Sequence, residues 1–232
     1  MSELRTRTGP TARDRRRRSL GQNFLVDRRL IRDLVAALGP LDGELVADVG
    51  AGVGALTLEL ARRGATVWAV EPDPVWCERL HSAIRSAGVT NRVRLLQTTV
   101  ERLQLPRTPY RVVANPPFGI TTALLARLLD DPSGPLVRAD LVVQREVAVK
   151  HTTVPPVALR TAAWLPWWEL HLGPTIHRSA FRPRPSVDAA VLAVVRRRPA
   201  LLPERLGPVY ADALRTAWNA TAAPQAKRGA RT

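Results

Sequence analysis

Apolar and polar positions alternate along the first two thirds of the chain in a pattern typical of an α/β fold. Five short runs rich in Val, Leu and Ala are bounded by glycine, proline or charged residues, and each predicts a buried parallel strand. They are Leu45–Val49, Thr66–Val70, 92–96, 111–114 and 141–144. Between the runs, apolar residues recur at three- and four-residue spacing, which predicts helices. These helices cover 30–38, 55–61, 74–87 and 120–129.

Strands that alternate with helices predict a parallel sheet covered on both faces. Two further apolar runs, 167–172 and 187–195, have no clear helix between them and therefore predict an antiparallel edge. The expected fold class is α/β, with a Rossmann-like, mostly parallel and doubly wound sheet, an antiparallel edge strand and a short helical C-terminal extension.

Charge divides the chain into three expected parts. Residues 1–18 form a polar, basic arm, 19–198 form the main domain, and 199–232 hold one helical stretch and a basic tail, too little for a separate core. The arm ends in Arg15, Arg16, Arg17 and Arg18. Such a run is usually disordered or solvated, but next to a ligand-binding domain it can also contact phosphates.

The balance of charge indicates a polyanionic partner. The formal net charge is +15, and arginine carries it because Lys150 and Lys227 are the only lysines. The planar guanidinium donates two parallel hydrogen bonds to phosphate, so nucleic acid is the simplest partner. A GC-rich genome would explain arginine in place of lysine, but it does not explain the excess over 20 acidic residues.

Cysteine and histidine usage argues against a metal or disulfide framework. Cys77 is the single cysteine, and the four histidines lack the spacing of metal ligands. No apolar run reaches the length that spans a membrane, and no signal peptide is visible. We therefore expect a cytoplasmic protein without a metal.

A glycine-rich turn follows the first predicted strand and opens a helix. Gly50, Gly52 and Gly54 alternate there, which lets a nucleotide-like ligand lie against bare main chain. Glu71 ends the next strand, about 20 residues downstream, where a carboxylate can accept hydrogen bonds from both ribose hydroxyls. The pattern predicts a nucleoside cofactor; the alternative is a tight turn in another kind of α/β domain.

Asn115, Pro116, Pro117 and Phe118 end the fourth strand, at the edge where open α/β sheets bind ligands. The exocyclic amine of adenine is a poor nucleophile because its lone pair is delocalised into the ring. An asparagine oxygen and a main-chain carbonyl can accept its two protons and so free the lone pair. The prolines fix the main chain, and the aromatic ring can stack on an extruded base. The alternative is a stiff loop with Phe118 in the core.

Six blocks, in order, resemble the ribosomal RNA adenine-N6 methyltransferases. This family includes small-subunit dimethyltransferases and the macrolide-resistance enzymes of the Erm type. The blocks cover 20–25, 48–54, 70–71, 115–118, 144–148 and 181–188. The resemblance implies a Rossmann-like methyltransferase that uses S-adenosylmethionine as methyl donor and an adenosine in folded RNA as acceptor.

The resemblance also implies roles for single residues. Asn23, Leu25, Gly50 and Gly52 would line the donor site, and Glu71 would hold the ribose. Asn115 would sit between donor and base, with Pro116 beside it. Phe118 and Phe181 would hold the target adenine. Where the family usually has an acid for the donor's adenine, this chain has Thr99.

The arginine run resembles the resistance branch, which implies a monomeric enzyme that methylates 23S RNA before ribosome assembly is complete and protects against macrolide-type drugs. Three alternatives are a small-subunit dimethyltransferase, a DNA or protein amino-group methyltransferase, and a non-catalytic RNA-binding assembly factor. Two further features depart from the family pattern: Pro116 replaces the usual isoleucine or leucine, and the C-terminal region is short.

Overall fold

The computed structural model describes residues 23–222 of the chain. Its strands are β1 Phe24–Leu25, β2 Leu45–Val49, β3 Thr66–Val70, β4 Val93–Leu96, β5 Tyr110–Ala114, β6 Leu136–Gln144, β7 Trp168–Ile176, β8 Phe181–Arg182 and β9 Ala189–Arg196. Its helices are α1 Arg28–Ala36, α2 Ala55–Arg62, α3 Pro74–Ser86, α4 Thr121–Leu129, α5 Arg145–Thr152, α6 Leu159–Trp164 and α7 Gly207–Ala222. Short 3₁₀ turns lie at Thr90–Arg92, Phe118–Ile120, Arg178–Ala180 and Glu204–Leu206.

Seven strands form one sheet in the order β4-β3-β2-β5-β6-β9-β7. The first five in this order pair in parallel, as the sequence pattern predicts. The chain runs outward from β2 to β4 and then crosses to β5 on the other side of β2. Ligands in open α/β sheets bind in the crevice at such a reversal of strand order. In this fold the crevice lies at the carboxyl ends of β2 and β5.

The predicted antiparallel edge is confirmed. Strand β9 inserts between β6 and β7 and runs antiparallel to both, with Gln144 opposite Ala189 and Trp168 opposite Arg196. Strand β6 begins five residues earlier than its apolar run. Arg138 and Asp140 lie inside it and form two hydrogen bonds of 2.7 Å with each other. Because this ion pair neutralises both charges, the strand continues through a polar stretch that the sequence pattern does not predict as strand.

Apolar side chains pack on both faces of the sheet. Successive residues of β2 point to opposite faces, so Val46 belongs to the core that α1, α2 and α3 cover, whereas Ala47 belongs to a second core that includes residues of α4 and a cluster of tryptophans. Those tryptophans are Trp164, Trp167 and Trp168. The two cores fix the strand ends, and hence the loops that follow them, in one rigid arrangement.

Two helices begin at aspartate caps. Asp73 caps α3, since its side chain accepts a hydrogen bond of 2.9 Å from the main-chain N–H of Val75 and Pro74 occupies the first helical position. Asp27 caps α1 in the same way, through the N–H groups of Arg29 and Leu30.

A second sheet of two short strands joins distant parts of the chain. β1 pairs antiparallel with β8, with Leu25 opposite Phe181. Two-residue strands have no period that a sequence pattern could show, so this sheet is absent from the predictions. It holds the segment that begins at Asn23 against the main domain.

Helix α7 packs on the main domain. The ring of Tyr210 lies 5.8 Å from that of Trp167, and its hydroxyl donates to the carbonyl of Ala162. The division of the chain at residue 198 stays a prediction, and the arm 1–18 lies outside the described residues. Within 23–222, no helix is long and apolar enough to cross a membrane.

Candidate active site

A cavity of about 510 Å³ opens at the carboxyl ends of β2, β3 and β4, beside the loop that follows β5. Its wall combines apolar side chains with three carboxylates. The lining residues are Val49, Gly50, Val70, Glu71, Pro72, Asp73, Pro74, Thr98, Thr99, Val100, Glu101, Pro117 and Ile120. Its size and chemistry fit a nucleoside, which needs flat apolar walls and a few polar groups at its edges.

The glycine turn lies where two other segments approach its main chain. Gly50 and Gly52 both adopt positive φ, at +83° and +55°. A Cβ atom on Gly50 would lie 3.0 Å from Cδ of Pro117, and one on Gly52 would lie 2.5 Å from the ring of Phe24. Side chains at these two positions would therefore displace the loop after β5 and the segment that carries Asn23.

Glu71 connects the glycine turn with the start of α3. Its two carboxylate oxygens accept hydrogen bonds from the N–H groups of Gly52, at 2.9 Å, and Asp73, at 3.0 Å. Burial raises the pKa of Glu71, the two N–H donors oppose that rise, and the charge of Asp73 adds to it. A carboxylate has about four lone-pair sites, so two remain for hydroxyl groups of a ligand.

Asn115 follows β5 directly and is held by one end of its side chain. Its Nδ2 donates a hydrogen bond of 2.9 Å to the carbonyl of Asn23. Its Oδ1 is buried and has no hydrogen-bond partner within residues 23–222. A buried acceptor without a partner costs about 1–3 kcal/mol, so the free oxygen indicates a ligand that donates to it.

The rest of the loop after β5 is stiff. Pro116 is buried, and neither it nor Pro117 has a main-chain N–H. Phe118 is half-buried and begins a 3₁₀ turn, with part of its ring against the core. The ring thus packs against the core and is also partly exposed, so the geometry accommodates both interpretations of Phe118.

The structure places the predicted residues in three groups. Gly50, Glu71 and Thr99 line the cavity. Gly52, Asn23 and Asn115 are joined to it through the contacts described above, with Pro116 and Phe118 in the same loop. Leu25 and Phe181 are different, because their side chains are buried in the core and do not line this cavity. Their roles toward donor and base stay predictions. Arg15, Arg16, Arg17 and Arg18 lie outside the described residues.

Of the lining residues, Gly50, Glu71 and Thr99 were predicted as site residues, and the others, among them Asp73, Ile120 and Glu101, were not. Asp73 lies two residues after Glu71, and this position at the end of a predicted strand is a usable signal. Ile120 and Glu101 carry no local signal, because they face the cavity only through the path of the loops after β5 and β4. In the described part of the chain, no group of three or more His, Cys, Asp or Glu side chains could hold a metal ion.

Asp48 lies under the glycine turn as a buried carboxyl group. Burial raises its pKa from 3.8 to about 7, against the effect of hydrogen bonds from Thr57, whose hydroxyl lies 2.6 Å away. In the unfolded chain Asp48 loses its proton near its ordinary pKa, whereas the folded chain keeps that proton until about pH 7. The contribution of Asp48 to stability therefore falls as pH rises from about 4 to 7 and is level above that window.

We expect Asp48→Asn to stabilise the protein more at pH 8 than at pH 5, because the amide never ionises. Thermal unfolding followed by circular dichroism at pH 5, 6, 7 and 8 measures the difference from wild type. Asp212→Asn, at an exposed position on α7, is the matched control and should show no such trend. A difference between Asp48→Asn and wild type that is constant over this range would contradict the raised pKa.

Known proteins are similar to this chain in sequence and in architecture. The family model described as "Ribosomal RNA adenine dimethylase" matches residues 13–223. An rRNA methyltransferase of Streptomyces thermotolerans is 38% identical over 212 residues, which are 90% of this chain and 69% of the relative. The mycinamicin-resistance protein MyrB of Micromonospora griseorubida is 36% identical over 199 residues, which are 86% and 62% of the two chains.

Similarity extends to solved structures. The crystal structure of the 23S rRNA methyltransferase ErmE matches with a TM-score of 0.73 and 27% identity, and the match covers 83% of this chain and 78% of ErmE. This chain spans about two thirds of the length of the two curated relatives.

Proposed function

The chain belongs to the ribosomal RNA adenine dimethylase family, and we propose that it transfers a methyl group from S-adenosylmethionine to N6 of an adenosine in 23S rRNA. The observation that carries this proposal is the free Oδ1 of Asn115, buried beside a nucleoside-sized cavity. It offers an acceptor where an amine of the target base would arrive.

The cavity would hold the donor through residues of four loops. The carboxylate of Glu71 would accept the ribose hydroxyls, and the main chain at Gly50 and Gly52 leaves room for the amino acid part. Asn23 would close the site from the N-terminal side, since its carbonyl contacts Asn115. When bound, S-adenosylmethionine supplies an electrophilic methyl group on its sulfonium centre.

Asn115 would activate the target amine by accepting one of its protons in a hydrogen bond. The carbonyl of Pro116 would accept the second, and the nitrogen would then move toward tetrahedral geometry with its lone pair toward the methyl group. The Nδ2 hydrogen bond to Asn23 holds the amide in the orientation that this requires. The amine proton leaves after methyl transfer, so no general base is needed before that step.

Phe118 would stack on the target adenine after it leaves the RNA helix, because extruded bases are held between flat apolar groups. Phe181 is fully buried, so a stacking role for it would require the β1–β8 sheet to move. We assign the primary contact with the base to Phe118.

The resistance branch of the family is supported by the similarity to MyrB and ErmE. MyrB is described as a mycinamicin-resistance protein and ErmE as a 23S rRNA methyltransferase. We propose that this chain likewise protects ribosomes against macrolide-type drugs, and that it acts as a monomer on RNA that is not yet fully assembled.

A methyl-transfer assay with separate substrate pools tests the proposal. Labelled S-adenosylmethionine is incubated with 23S transcripts, 16S transcripts, DNA and bulk protein. We expect label in 23S RNA, a primer-extension stop at one adenosine, and raised macrolide tolerance in sensitive bacteria that express the protein. Label in 16S RNA alone would establish the small-subunit alternative, and label in DNA or protein with none in either RNA would refute an RNA substrate.

The basic arm would add affinity for RNA. We propose that Arg15, Arg16, Arg17 and Arg18 contact phosphates, because a dense arginine run adjoins the donor site in sequence. In RNA-binding titrations at several salt concentrations, deletion of residues 1–18 should weaken RNA binding and lower its log–log salt slope by about 0.7–0.9 per lost phosphate contact. An unchanged slope would assign no RNA contact to the arm.

A further inference from the structure

The ring of Phe24 lies close to both the glycine turn and helix α3. A Cβ atom on Gly52 would lie 2.5 Å from this ring. The centre of the ring lies 4.8 Å from that of Trp76, and the two ring planes are inclined by 57°. Tilted rings at this separation attract each other beyond the apolar area that they bury. The pair therefore ties the segment that carries Phe24 to α3.

Trp76 is a buried residue in the first turn of α3. This helix begins at Asp73, whose main-chain N–H donates to the Glu71 carboxylate, so its start is held at the end of β3. The guanidinium of Arg79 lies 4.7 Å from the centre of the Trp76 ring, and a cation over an aromatic face is attracted to it. Trp76 is thus a well-held side chain against which Phe24 packs.

Strand β1 by itself is a short anchor for this segment. It pairs with β8 over two residues, and the N–H of Val26 adds one hydrogen bond to the carbonyl of Ala180. Two-stranded pairing of this length has little stability of its own. The contact with Trp76 adds a second anchor, and it lies on the helix whose start, at Asp73 and Pro74, borders the donor cavity.

Asn23 precedes Phe24 directly, and its carbonyl accepts the hydrogen bond of 2.9 Å from Nδ2 of Asn115. The oxygen and the NH₂ group of an asparagine side chain exchange places when its last bond turns by half a circle. A carbonyl at one fixed position favours the orientation in which Nδ2 faces it. The carbonyl of Asn23 therefore decides that Oδ1, and not Nδ2, is the atom left to accept a proton of the target amine.

We propose that Trp76 is a positioning residue for methyl transfer, because through the ring of Phe24 it fixes the carbonyl of Asn23 and so the orientation of the Asn115 amide. Within the described residues, the cavity wall does not include Trp76, so its effect reaches the reaction only through these contacts. The inference rests on the proposed role of Asn115 in methyl transfer.

Single-turnover methyl transfer to a 23S RNA fragment, with the full chain and with saturating donor and RNA, tests the inference. Trp76→Leu keeps an apolar side chain but removes the ring, and we expect a rate about 10-fold below wild type, near the upper end for one aromatic pair. Phe24→Leu removes the same pair from its other side and should lose a similar factor. Trp76→Phe restores a ring and should stay within about 3-fold of wild type. The KM for RNA should be unchanged in all three variants.

A double-mutant cycle separates positioning from support of the fold. In the Asn115→Ala background there is no amide to orient, so Trp76→Leu should have almost no further effect on the rate there. A change that only weakens the fold would slow both backgrounds by the same factor. Trp68→Leu is the matched control, since Trp68 also packs with an arginine, Arg94 at 5.2 Å, but lies in the middle of β3. It should lower the melting temperature and leave the rate at its wild-type value.

The outcomes distinguish this inference from the proposed function. If wild type transfers no methyl group to 23S RNA, the proposed function and the inference are both refuted. If Asn115→Ala is slow but Trp76→Leu reacts at the wild-type rate, or slows both Asn115 backgrounds equally, Trp76 has no positioning role and the proposed function stands without it.

Discussion

Replacing Asn115 with alanine should slow methyl transfer by about 100- to 1000-fold, the usual cost of one lost preorganised contact in a transition state. The alanine variant lacks the oxygen that would accept the amine proton, and the amine then stays flat and unreactive. It also lacks the Nδ2 hydrogen bond to Asn23, so the N-terminal segment loses one anchor. Single-turnover methyl transfer to a 23S RNA fragment measures the rate without product release.

Asn115→Asp separates the two roles of this side chain. The aspartate keeps an acceptor for the amine but cannot donate to the carbonyl of Asn23, and its charge repels that oxygen. We therefore expect its rate to lie between those of wild type and Asn115→Ala. Asn91→Ala, which removes an exposed amide from the 3₁₀ turn before β4, is the matched control and should transfer methyl at the wild-type rate.

Affinity for S-adenosylhomocysteine has to be measured on the same variants. If Asn115→Ala binds it nearly as well as wild type but reacts slowly, the loss lies in the chemical step. A wild-type rate in Asn115→Ala would show that the loop after β5 is structural, and the catalytic assignment would then be wrong.

Much of this site could be predicted because its residues lie directly after the ends of predicted strands. The runs that become β2, β3 and β5 are continuous and apolar, so their last residues are visible in the sequence. Parallel strands bring such ends to one edge, which places Gly50, Glu71 and Asn115 around one crevice. The chemistry then follows from residue type, and the structure confirms the parallel sheet and its antiparallel edge.

The remaining features depend on contacts between distant segments. Leu25 and Phe181 pair across the two-residue strands β1 and β8, and this pairing buries both side chains. The sequence around Phe181 is the same whether its ring is buried in the core or exposed for stacking on a base. Glu101 reaches the cavity only because a turn at Thr99 reverses the loop after β4. In each case the path of the main chain decides what the side chain contacts.

Replacing Glu71 with alanine should weaken binding of S-adenosylhomocysteine by at least about 100-fold, because two charge-assisted hydrogen bonds to the ribose are lost, each contributing roughly 1.5–3 kcal/mol. The same change leaves the N–H groups of Gly52 and Asp73 without their acceptor, so part of the effect would come from a loosened glycine turn. Affinity for a single ligand cannot separate these two causes.

A second ligand separates them, namely S-adenosylhomocysteine without its ribose 2′- and 3′-hydroxyls. Wild type should prefer the intact ligand by at least about 100-fold, whereas Glu71→Ala should bind both almost equally. A loosened turn weakens both ligands alike and leaves their ratio unchanged, so the ratio reports on the ribose contact alone. Glu44→Ala, an exposed glutamate at the amino end of β2, should keep the wild-type ratio. If Glu71→Ala keeps that ratio too, Glu71 supports only the glycine turn and another group holds the ribose.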